Sequence, residues 1–322
     1  MSGPGRLAGR PPLIVLGGPT ATGKTGLAIR LALALAEAGR PGEILSADSR
    51  QVYRGMDIGT AKPAMAERQG VTHHLLDLVE PDAPFSVAEF IRAAGPVLAA
   101  LATEGKIALL VGGTGLWLRA LATGLDVDAS PADPVVRAML EAELASDGLP
   151  AVAARLRHLA PVTAARTDLD NPRRVVRALE IATLRGDGPS AALLGYGAPV
   201  LRLNLGLEAG LNRAWIERRA TGQLEAGLPD EAARLRLRYG STLRSMSAIG
   251  YQEAFDLLDG RLTRAQFLEV NVARNVMFAR RQRTWFRSDT FGDVQVELDA
   301  ADAPFDAALE AARRFLVPEP LS

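Results

Sequence analysis

The sequence contains no cysteine in its 322 residues. Without a thiol, the chain cannot form disulfides, ligate zinc or iron–sulfur clusters through cysteine, or use a cysteine nucleophile. Histidine is also scarce, because His73 and His74 are adjacent and His158 stands alone. Such a distribution offers no zinc site. These absences exclude the thiol-dependent and zinc-dependent classes of enzyme.

Long apolar runs are missing as well. The segment from Leu27 to Leu35 carries Arg30 and is far shorter than the ~20 residues that a membrane-spanning helix needs. Near the N-terminus a short apolar run, Leu13 to Leu16, is followed at once by glycines, so the apolar region of a secretory signal is lacking. We therefore expect a soluble, cytoplasmic protein with no membrane partner, and we expect a monomer.

Net charge is the third feature that the chain lacks, since 37 basic residues balance 37 acidic ones. A neutral total alone argues against a nucleic-acid partner. The charges are nevertheless unevenly distributed along the chain, because the stretch from Arg261 to Arg287 contains seven arginines and one acidic residue, Glu269. Local patches rather than net charge create a phosphate-binding surface. This stretch therefore predicts one.

Apolar runs alternate with helical periodicity in the first part of the chain. Ser86, with Glu89 three residues later, forms the pattern of a capping box at a helix start. The run at 107–111 is apolar throughout, which is typical of a strand buried on both faces. Strands are predicted at 13–16, 43–48 and 107–111, and helices at 24–38 and 86–102. This alternation predicts an α/β fold with a doubly wound parallel sheet.

The pattern changes after residue 125. Residues 131–186 contain no convincing strand but several helical stretches, with breaks at 148–150 and 170–172. We therefore predict a core of residues 1–125 and 198–322 that is interrupted by a helical insertion of residues 126–197. A strand is predicted at 200–207, followed by helices up to the C-terminus.

A P-loop NTPase-like fold is predicted by one motif near the N-terminus. Gly18, Pro19, Thr20, Ala21, Thr22, Gly23, Lys24 and Thr25 match G-x-x-x-x-G-K-[ST] at every fixed position, between a strand and a helix. The backbone amides of such a loop converge on phosphate oxygens. Lys24 would supply a point charge and the Thr25 hydroxyl would bind Mg²⁺. The alternative interpretation is a glycine-rich turn without a ligand.

The acidic residue expected beside the P-loop is Asp48. The apolar run at 107–111 ends in Gly112-Gly113-Thr114-Gly115, where a nucleotide-hydrolysing protein usually has an aspartate that helps to place Mg²⁺. Asp48 instead ends the strand that follows the P-loop helix, and α/β proteins bind ligands at that edge. An unpaired carboxylate there could act as a general base or a metal ligand. On local sequence alone, a solvated or helix-capping aspartate is an equally good interpretation.

Several further motifs carry a family resemblance. They are SADSRQVYRGMDIGTAKP from Ser46 to Pro63, HHLLDLVEP, VGGTGLWLRAL, NPRRVVRALEI, AIGYQE and RRQRTWFR. Together with the P-loop, in this order from about Gly18 to Arg287, they resemble the tRNA dimethylallyltransferase family, the isopentenyl-diphosphate:tRNA transferases. P-loops are shared with many kinases, whereas the block that ends at Pro63 and the TWFR segment are specific.

The resemblance implies a reaction and its residues. It implies that residues 20–25, with Lys24, Thr25 and Mg²⁺, bind the diphosphate of dimethylallyl diphosphate and stabilise it as the leaving group. Asp48 matches the general base that takes a proton from the adenosine N6 amine, and Thr114 matches a threonine of the reaction channel. Trp215 stands where an arginine is frequent, which leaves Arg219 as the candidate for a second diphosphate contact.

The resemblance also implies contacts with the anticodon stem-loop of tRNA. Residues that match tRNA-contacting positions are Asp48, Ser49, Arg50, Gln51, Thr114, Arg137, Arg173, Arg174, Val175, Val176 and Arg177. Arg280, Arg283 and Arg287 add a basic stripe beside Trp285 and Phe286, which suits phosphate contacts, although such aromatic pairs more often pack a helix to the core. The predicted activity is transfer of the dimethylallyl group to the N6 amine of the adenosine 3′ to the anticodon.

Each of these assignments has a plainer alternative. Thr114 could be an ordinary loop residue, Arg137 a solvated helix residue, and Arg173 with Arg177 a water-facing helix surface. The pair His73-His74 is interpreted as a structural feature at a strand edge. Three other functions compete with the tRNA enzyme: a small-molecule P-loop kinase, an adenylate dimethylallyltransferase, and a non-catalytic, nucleotide-dependent RNA-binding switch for which Asp48 would be dispensable.

Overall fold

The computed structural model describes residues 10–125, 133–188 and 193–316, which belong to two units. The first unit comprises Met1–Thr123 and Gly195–Ser322, and the second comprises Gly124–Leu194. The predicted limits of the insertion, 126 and 197, lie within a few residues of these bounds.

A parallel sheet forms the centre of the first unit. The strands are, in chain order, β1 (Leu13–Gly17), β2 (Gly42–Ser46), β3 (His73–His74), β4 (Ile107–Gly112), β5 (Gly124–Leu125), β6 (Leu193–Leu194), β7 (Val200–Gly206) and β8 (Val294–Asp299). Six of them form one sheet in the order β3-β2-β4-β1-β7-β8, and every neighbouring pair is parallel. The predicted doubly wound α/β fold is confirmed.

Helices cover both faces of this sheet and form the body of the second unit. They are α1 (Lys24–Glu37), α2 (Val87–Thr103), α3 (Gly115–Thr123), α4 (Pro134–Leu159), α5 (Pro161–Arg166), α6 (Pro172–Arg185), α7 (Ala209–Glu225), α8 (Leu228–Tyr239), α9 (Tyr251–Leu258), α10 (Arg264–Ser288) and α11 (Pro304–Leu316). None of these described helices is both long and apolar enough to cross a membrane.

The strand β1 contributes to two apolar layers because its side chains alternate between the faces of the sheet. Leu13 and Val15 pack into the layer that includes residues of α2, α3 and α10. Ile14 and Leu16 pack into the opposite layer with α1 and α11. All four are at most 1% exposed, which explains the continuous apolar run in the sequence. This strand therefore holds the P-loop at the centre of the sheet.

Several local predictions are confirmed and one is wrong. Ser86 caps α2, and Glu89 completes the capping box. The prediction that only helices follow residue 207 is wrong, because β8 pairs with β7. Of the six residues of β8, Leu298 alone is buried, as an edge strand exposes much of its surface. The segment therefore lacks the apolar run by which β1 and β4 were found.

Helices α4, α5 and α6 form most of the described part of the second unit. Gly148, with φ 81° and ψ 167°, interrupts α4 at the first predicted break. Asn171 accepts hydrogen bonds from the backbone N–H groups at the start of α6, which accounts for the second. A two-residue antiparallel pair, β5 with β6, was not predicted.

Candidate functional site

The P-loop connects the end of β1 to the start of α1, and its glycines are required by geometry. Gly18 has φ 150°, and a Cβ there would lie 2.3 Å from the carbonyl oxygen of Leu205. Gly23 has φ 81° and forms the N-cap of α1 in a left-handed conformation, which glycine adopts at little cost. The loop can thus curl over the N-terminus of α1, the end of a helix that favours anions.

A cavity of about 240 Å³ opens at this loop. It lies at the carboxyl ends of β1, β2 and β4, the edge where α/β proteins bind ligands. Its walls include residues 20–25 of the P-loop, Asp48 and Gln51 after β2, Gly112 and Gly113 at the end of β4, Arg219 of α7, and Phe278 and Gln282 of α10. Elements that are distant in sequence therefore converge on the phosphate-binding motif.

Two cationic side chains enter this cavity without forming a salt bridge to a described carboxylate. Lys24 donates through Nζ to the carbonyl oxygen of Pro19, and burial lowers the pKa of Lys24 to about 7 although the charge of Asp48 opposes the shift. Arg219 donates to Thr20 Oγ1 at 2.7 Å and to Asn275 Oδ1 at 2.9 Å. Burial also lowers the pKa of Arg219. Neutral partners leave both cations suited to an anionic ligand.

Asp48 lies in a turn just after β2 and serves two purposes. Its Oδ1 accepts the backbone N–H of Arg50 at 2.8 Å, so it caps a turn. The helix-cap interpretation is wrong, because no described helix lies between β2 and β3. Its carboxylate also lines the cavity and acts electrostatically on Lys24 and Arg219. Its Oδ2 has no hydrogen-bond partner among the described residues. One oxygen is thus fixed while the other remains available to a substrate proton.

Thr114 stabilises the turn that carries Asp48. Its Oγ1 accepts the backbone N–H of Ser49 at 3.1 Å, and its own N–H reaches the carbonyl oxygen of Ala47 at 3.4 Å. Thr114 is not among the residues that line the cavity. Its geometry is that of a positioning residue for Asp48 and differs from the predicted channel-lining position.

The side chains of Arg50 and Gln51 are engaged within the protein. Arg50 donates to the carbonyl oxygens of Arg244 and Ser245 at 3.0 and 3.2 Å. Gln51 accepts the hydroxyl of Ser46 and donates to the carbonyl oxygens of residues 60 and 61, while it also lines the cavity. Both side chains fix the loops around the site, so their contacts with tRNA stay predictions.

Buried amide side chains hold the P-loop, and no pattern in the sequence pointed to them directly. Gln282 accepts the N–H of Thr20 at 2.8 Å and donates to the carbonyl oxygen of Gly113 at 2.8 Å. Asn212 donates to the carbonyl oxygens of Thr20 and Ala21. Gln282 lies in the RRQRTWFR motif, which is the one signal that could have found it. These amides couple α7 and α10 to the phosphate-binding loop.

Comparison with known proteins identifies the family. The model of the IPP transferase family matches residues 51–289. The chain is 42% identical over 307 residues to the tRNA dimethylallyltransferase of Azoarcus sp. (strain BH72), with 91% of this chain and 93% of that protein covered. It is 44% identical over 288 residues to that of Thiobacillus denitrificans (strain ATCC 25259 / T1), with 87% and 90% covered. The chain belongs to the IPP transferase family.

Solved structures agree with this membership. The tRNA isopentenylpyrophosphate transferase of Bacillus halodurans is 37% identical, with a TM-score of 0.64 and with 94% of this chain and 95% of that chain covered. A eukaryotic dimethylallyltransferase solved acting on tRNA is 25% identical, with a TM-score of 0.74 and with 94% and 77% covered. The predicted resemblance is confirmed.

In this IPP transferase the basic residues of α10 have unequal surroundings. Arg280 and Arg287 are exposed and form no ion pair with a described residue. Arg283 donates to Asn212 Oδ1 at 3.0 Å and so contributes to the packing of α7 at the P-loop. Earlier in the predicted basic stretch, Arg261 and Arg274 form salt bridges with acidic side chains. The free positive surface is therefore smaller than the arginine count suggests.

The aromatic pair beside these arginines packs the helix to the core, as the plainer interpretation held. A Cβ on Gly115 would lie 2.1 Å from the ring of Trp285, and one on Gly17 would lie 2.6 Å from that of Phe286. Glycine at both positions thus permits α10 to lie close to the P-loop strand and to the loop after β4.

The predicted tRNA-contacting residues of the insertion fall into two groups. Arg173 and Arg174 are exposed, and Arg174 pairs with Asp168 at 3.2 Å. Val175 and Val176 are 0% and 4% exposed and lie in the apolar core of the insertion. The amphipathic helix α6 turns these two valine side chains inward. Contact between this turn of helix and tRNA stays a prediction, and the exposed arginines are the side chains that could make it.

Arg137 and Arg177 of the insertion share one buried carboxylate. Glu180, which is 0% exposed, accepts from Arg137 and from Arg177, the latter at 2.9 Å. It also accepts the N–H of Asp133 at 2.8 Å, and this hydrogen bonding lowers the pKa of Glu180 against the effect of burial. Arg137 is therefore an interhelical ion-pair residue rather than a solvated one.

The two adjacent histidines form β3, at the edge of the sheet, as their structural interpretation predicted. His74 contacts Glu43 through Nε2 at 2.5 Å. His73 bonds through Nδ1 to the carbonyl oxygen of Val71 at 2.9 Å, and it also lines the P-loop cavity, a placement that was not predicted.

The residues at the P-loop fit a magnesium ion held mostly by phosphate. Within residues 10–125, 133–188 and 193–316 no group of three or more His, Cys, Asp or Glu side chains could hold a metal. The cavity does offer the Thr25 hydroxyl and the Asp48 carboxylate. Mg²⁺ commonly takes one or two protein oxygens and completes its shell with phosphate oxygens and water. Thr25 is the residue that would hold it.

Proposed function

We propose that this IPP transferase moves the dimethylallyl group of dimethylallyl diphosphate to the exocyclic N6 amine of the adenosine 3′ to the anticodon in tRNA, releasing diphosphate. The observation that carries the proposal is the convergence of three side chains on a single P-loop cavity. They are the carboxylate of Asp48 and two cations, Lys24 and Arg219, that form no salt bridge with a described carboxylate. The names of the relatives support tRNA as the acceptor.

The donor would bind with its diphosphate at the P-loop. The backbone amides of residues 20–25, the ammonium of Lys24 and the guanidinium of Arg219 would meet the negative charge that grows on the diphosphate as the allylic C1–O bond breaks. Mg²⁺, when bound at Thr25, would add charge neutralisation to the leaving group. These groups are fixed before the reaction, so little reorganisation is needed.

The acceptor would need a base. The lone pair of the adenine N6 amine is delocalised into the ring, so the nitrogen is a poor nucleophile until its proton is removed. In the proposed step N6 forms a bond to C1, the C1–O electron pair leaves with diphosphate, and the N6 proton passes to Asp48 Oδ2. The bond from the Arg50 N–H to Oδ1 at 2.8 Å and the support from Thr114 would hold the carboxylate in place for this transfer.

The target base would have to leave its stack to reach Asp48. Unstacking costs a few kcal/mol and is cheapest in a single-stranded loop, which favours an anticodon loop over duplex RNA. Exposed arginines would contact the tRNA phosphates: Arg173 and Arg174 on the insertion, and Arg280 and Arg287 on α10. Binding as a monomer and a cytoplasmic location stay predictions.

The decisive experiment offers labelled dimethylallyl diphosphate and Mg²⁺ with tRNA or with AMP as the acceptor. Label should enter tRNA, and digestion should place it on N6 of one adenosine of the anticodon loop. A matched stem-loop with purine riboside at that position, which lacks the amine, should take no label. Label in AMP alone would identify an adenylate dimethylallyltransferase. Phosphate transfer from ATP to a small molecule would identify a kinase.

A further inference from the structure

One face of α10 combines buried amides with a partly exposed aromatic ring. Positions 271, 275, 278 and 282 recur at helical spacing and therefore share a face. Asn271, Asn275 and Gln282 are 1%, 7% and 7% exposed, whereas Phe278 is 37% exposed. Among these four positions, Phe278 alone presents an apolar surface that a ligand could contact.

The neighbours of Phe278 on this face hold the groups that would bind diphosphate. Asn275, one turn before it, accepts from Arg219 at 2.9 Å. Gln282, one turn after it, accepts the N–H of Thr20 at 2.8 Å. Phe278 itself lines the P-loop cavity. Its ring therefore lies between the side chains that fix Arg219 and the phosphate-binding loop.

The chemistry of the cavity lining singles this ring out. Besides the charged Lys24, Arg219 and Asp48, the lining consists of hydroxyl, amide, imidazole and small or aliphatic side chains, and Phe278 is the one benzene ring among the described lining residues. Phosphate binding needs no aromatic group. A prenyl diphosphate, by contrast, has an apolar tail joined directly to its anionic head. If the diphosphate head of the donor binds at the P-loop, its apolar tail must lie immediately beside that head.

We propose that Phe278 covers the dimethylallyl tail of the donor, limits the length of the prenyl chain and shields the allylic carbon from water. The inference rests on the proposed function for the identity of the donor. A ring over the tail removes apolar surface from water, and its π face attracts the positive charge that develops on the allylic carbon. A ten-carbon geranyl tail would collide with a ring at this position.

Shielding matters because water competes with the adenine amine. When water attacks, its oxygen bonds to C1, the C1–O electron pair leaves with diphosphate, and the water loses a proton to solvent. The product is dimethylallyl alcohol and the donor is wasted. An uncovered tail would therefore raise the yield of alcohol relative to prenylated tRNA.

Binding affinities test whether Phe278 covers the prenyl tail, and they can be measured without turnover. The probes are inorganic diphosphate and dimethylallyl S-thiolodiphosphate, whose C–S bond resists cleavage. In the parent the prenyl probe should bind roughly tenfold more tightly than diphosphate, because its tail is buried. Phe278→Ala should abolish most of this ratio with diphosphate affinity unchanged, and Phe278→Leu should keep most of it. The matched control is Met277→Ala, since Met277 is 60% exposed and does not line the cavity.

Turnover supplies the second readout. Phe278→Ala should raise the ratio of alcohol to prenylated tRNA and the kcat/KM for geranyl relative to dimethylallyl diphosphate, each by roughly tenfold, with the KM for tRNA unchanged. An unchanged probe ratio in Phe278→Ala, or a parent that binds both probes equally, would overturn the proposal. A raised KM for tRNA with chain-length selectivity unchanged would also overturn it and would assign the ring to an RNA base. The parent could prenylate no tRNA while the ratio of the two probe affinities changes in Phe278→Ala as expected. In that case the proposed tRNA acceptor is wrong, but the proposed role of Phe278 over the prenyl tail is supported.

Discussion

Cationic side chains in the P-loop cavity and in the insertion have opposite surroundings. Lys24 and Arg219 bond to neutral oxygens, with Asp48 near but not in salt-bridge contact with either. In the insertion, Arg137 and Arg177 share the buried carboxylate of Glu180. Both pairs of cations were assigned to substrate contact from the sequence. The structure separates them by the charge of their partners.

This difference indicates that Lys24 and Arg219 lower the stability of the free protein in favour of ligand binding. A buried cation without a carboxylate is costly, because its hydration is lost and no opposite charge replaces it. The lowered pKa values of Lys24 and Arg219 express this cost, and an anionic ligand would relieve it. The Glu180 cluster already contains its own anion, so its arginines stabilise the insertion and are poor candidates for binding RNA phosphates.

The largest effect is expected from Lys24→Ala. It should lower kcat/KM for the donor by roughly 10³-fold, because the lysine would meet phosphate charge both before and during the reaction. Stability should not fall, since a poorly compensated charge is removed. The control is Lys106→Ala, whose lysine bonds to Glu43 and Glu104 away from the cavity. That variant should be less stable and fully active. If Lys24→Ala were less stable but active, and Lys106→Ala were stable but inactive, the distinction between ligand-binding and carboxylate-paired cations would be wrong.

Glu180→Gln tests the carboxylate-paired arginines of the insertion. It should destabilise the insertion by about 2 kcal/mol, since it removes the buried charge that Arg137 and Arg177 share. The measurement is amide hydrogen exchange in α4 and α6. Glu143→Gln, which alters a more exposed pair with Arg155, should cost about 0.5 kcal/mol or less. Equal protection in the two variants would contradict the structural role of Glu180.

The same cluster has a pH signature. Hydrogen bonding lowers the pKa of Glu180 below its usual 4.5. A carboxyl group with a lowered pKa in the folded protein stabilises it above its unfolded pKa, and the contribution is lost as pH falls through the folded value. The protection difference between parent and Glu180→Gln should therefore be full near pH 6 and should shrink below pH 4.5. A constant difference would exclude the ionised pair as its source.

Lys24 predicts a different pH dependence, in ligand affinity. Its pKa of about 7 in the free protein should rise when diphosphate binds, because the anion favours the charged ammonium. Diphosphate affinity should therefore stay constant below about pH 7, apart from ionisation of the ligand, and fall as pH rises above it. Lys24→Met should remove that fall. An identical pH profile in parent and variant, measured by calorimetry, would show that Lys24 does not titrate on binding.

The smallest effects concern the exposed arginines of α10. If Arg280 and Arg287 contact tRNA phosphates, replacing both by alanine should make the dependence of log K on log salt shallower by roughly one unit per lost contact. Arg283 is unsuitable for this test because it bonds to Asn212 beside the P-loop. Arg313→Ala, an exposed arginine on α11 across the sheet, is the control. The parent's slope in the double variant would locate the RNA contacts elsewhere.

The sequence predicted those parts of the molecule that local rules determine. The P-loop, the capping box at Ser86 and the break at Gly148 follow from glycine and capping chemistry. The family motifs singled out Asp48 and Arg219, which both line the P-loop cavity, and their roles stay predictions. Partners that are distant in the chain could not be predicted. Arg202 in β7 is an example. It is 0% exposed and donates to the backbone carbonyl oxygens of Phe286 and Asp289.

The amides of α10 show the same limit. A polar side chain within a helix is usually solvated, so Asn275 and Gln282 gave no sign that the helix buries them against the P-loop. Arg137 likewise gave no sign of Glu180, which is 43 residues away in sequence. Helix packing decides which polar side chains are buried, and it depends on the whole fold.

Asp48→Asn tests the central claim most directly. Asparagine keeps the Oδ1 acceptor that bonds to the Arg50 N–H and removes only the basic charge. The measurement is the single-turnover rate of tRNA prenylation at saturating donor and tRNA, with tRNA affinity measured in parallel. The account predicts a rate lower by roughly 10²-fold or more, with tRNA affinity little changed. A rate within a few-fold of the parent would contradict it, because Asp48 would then not be the base.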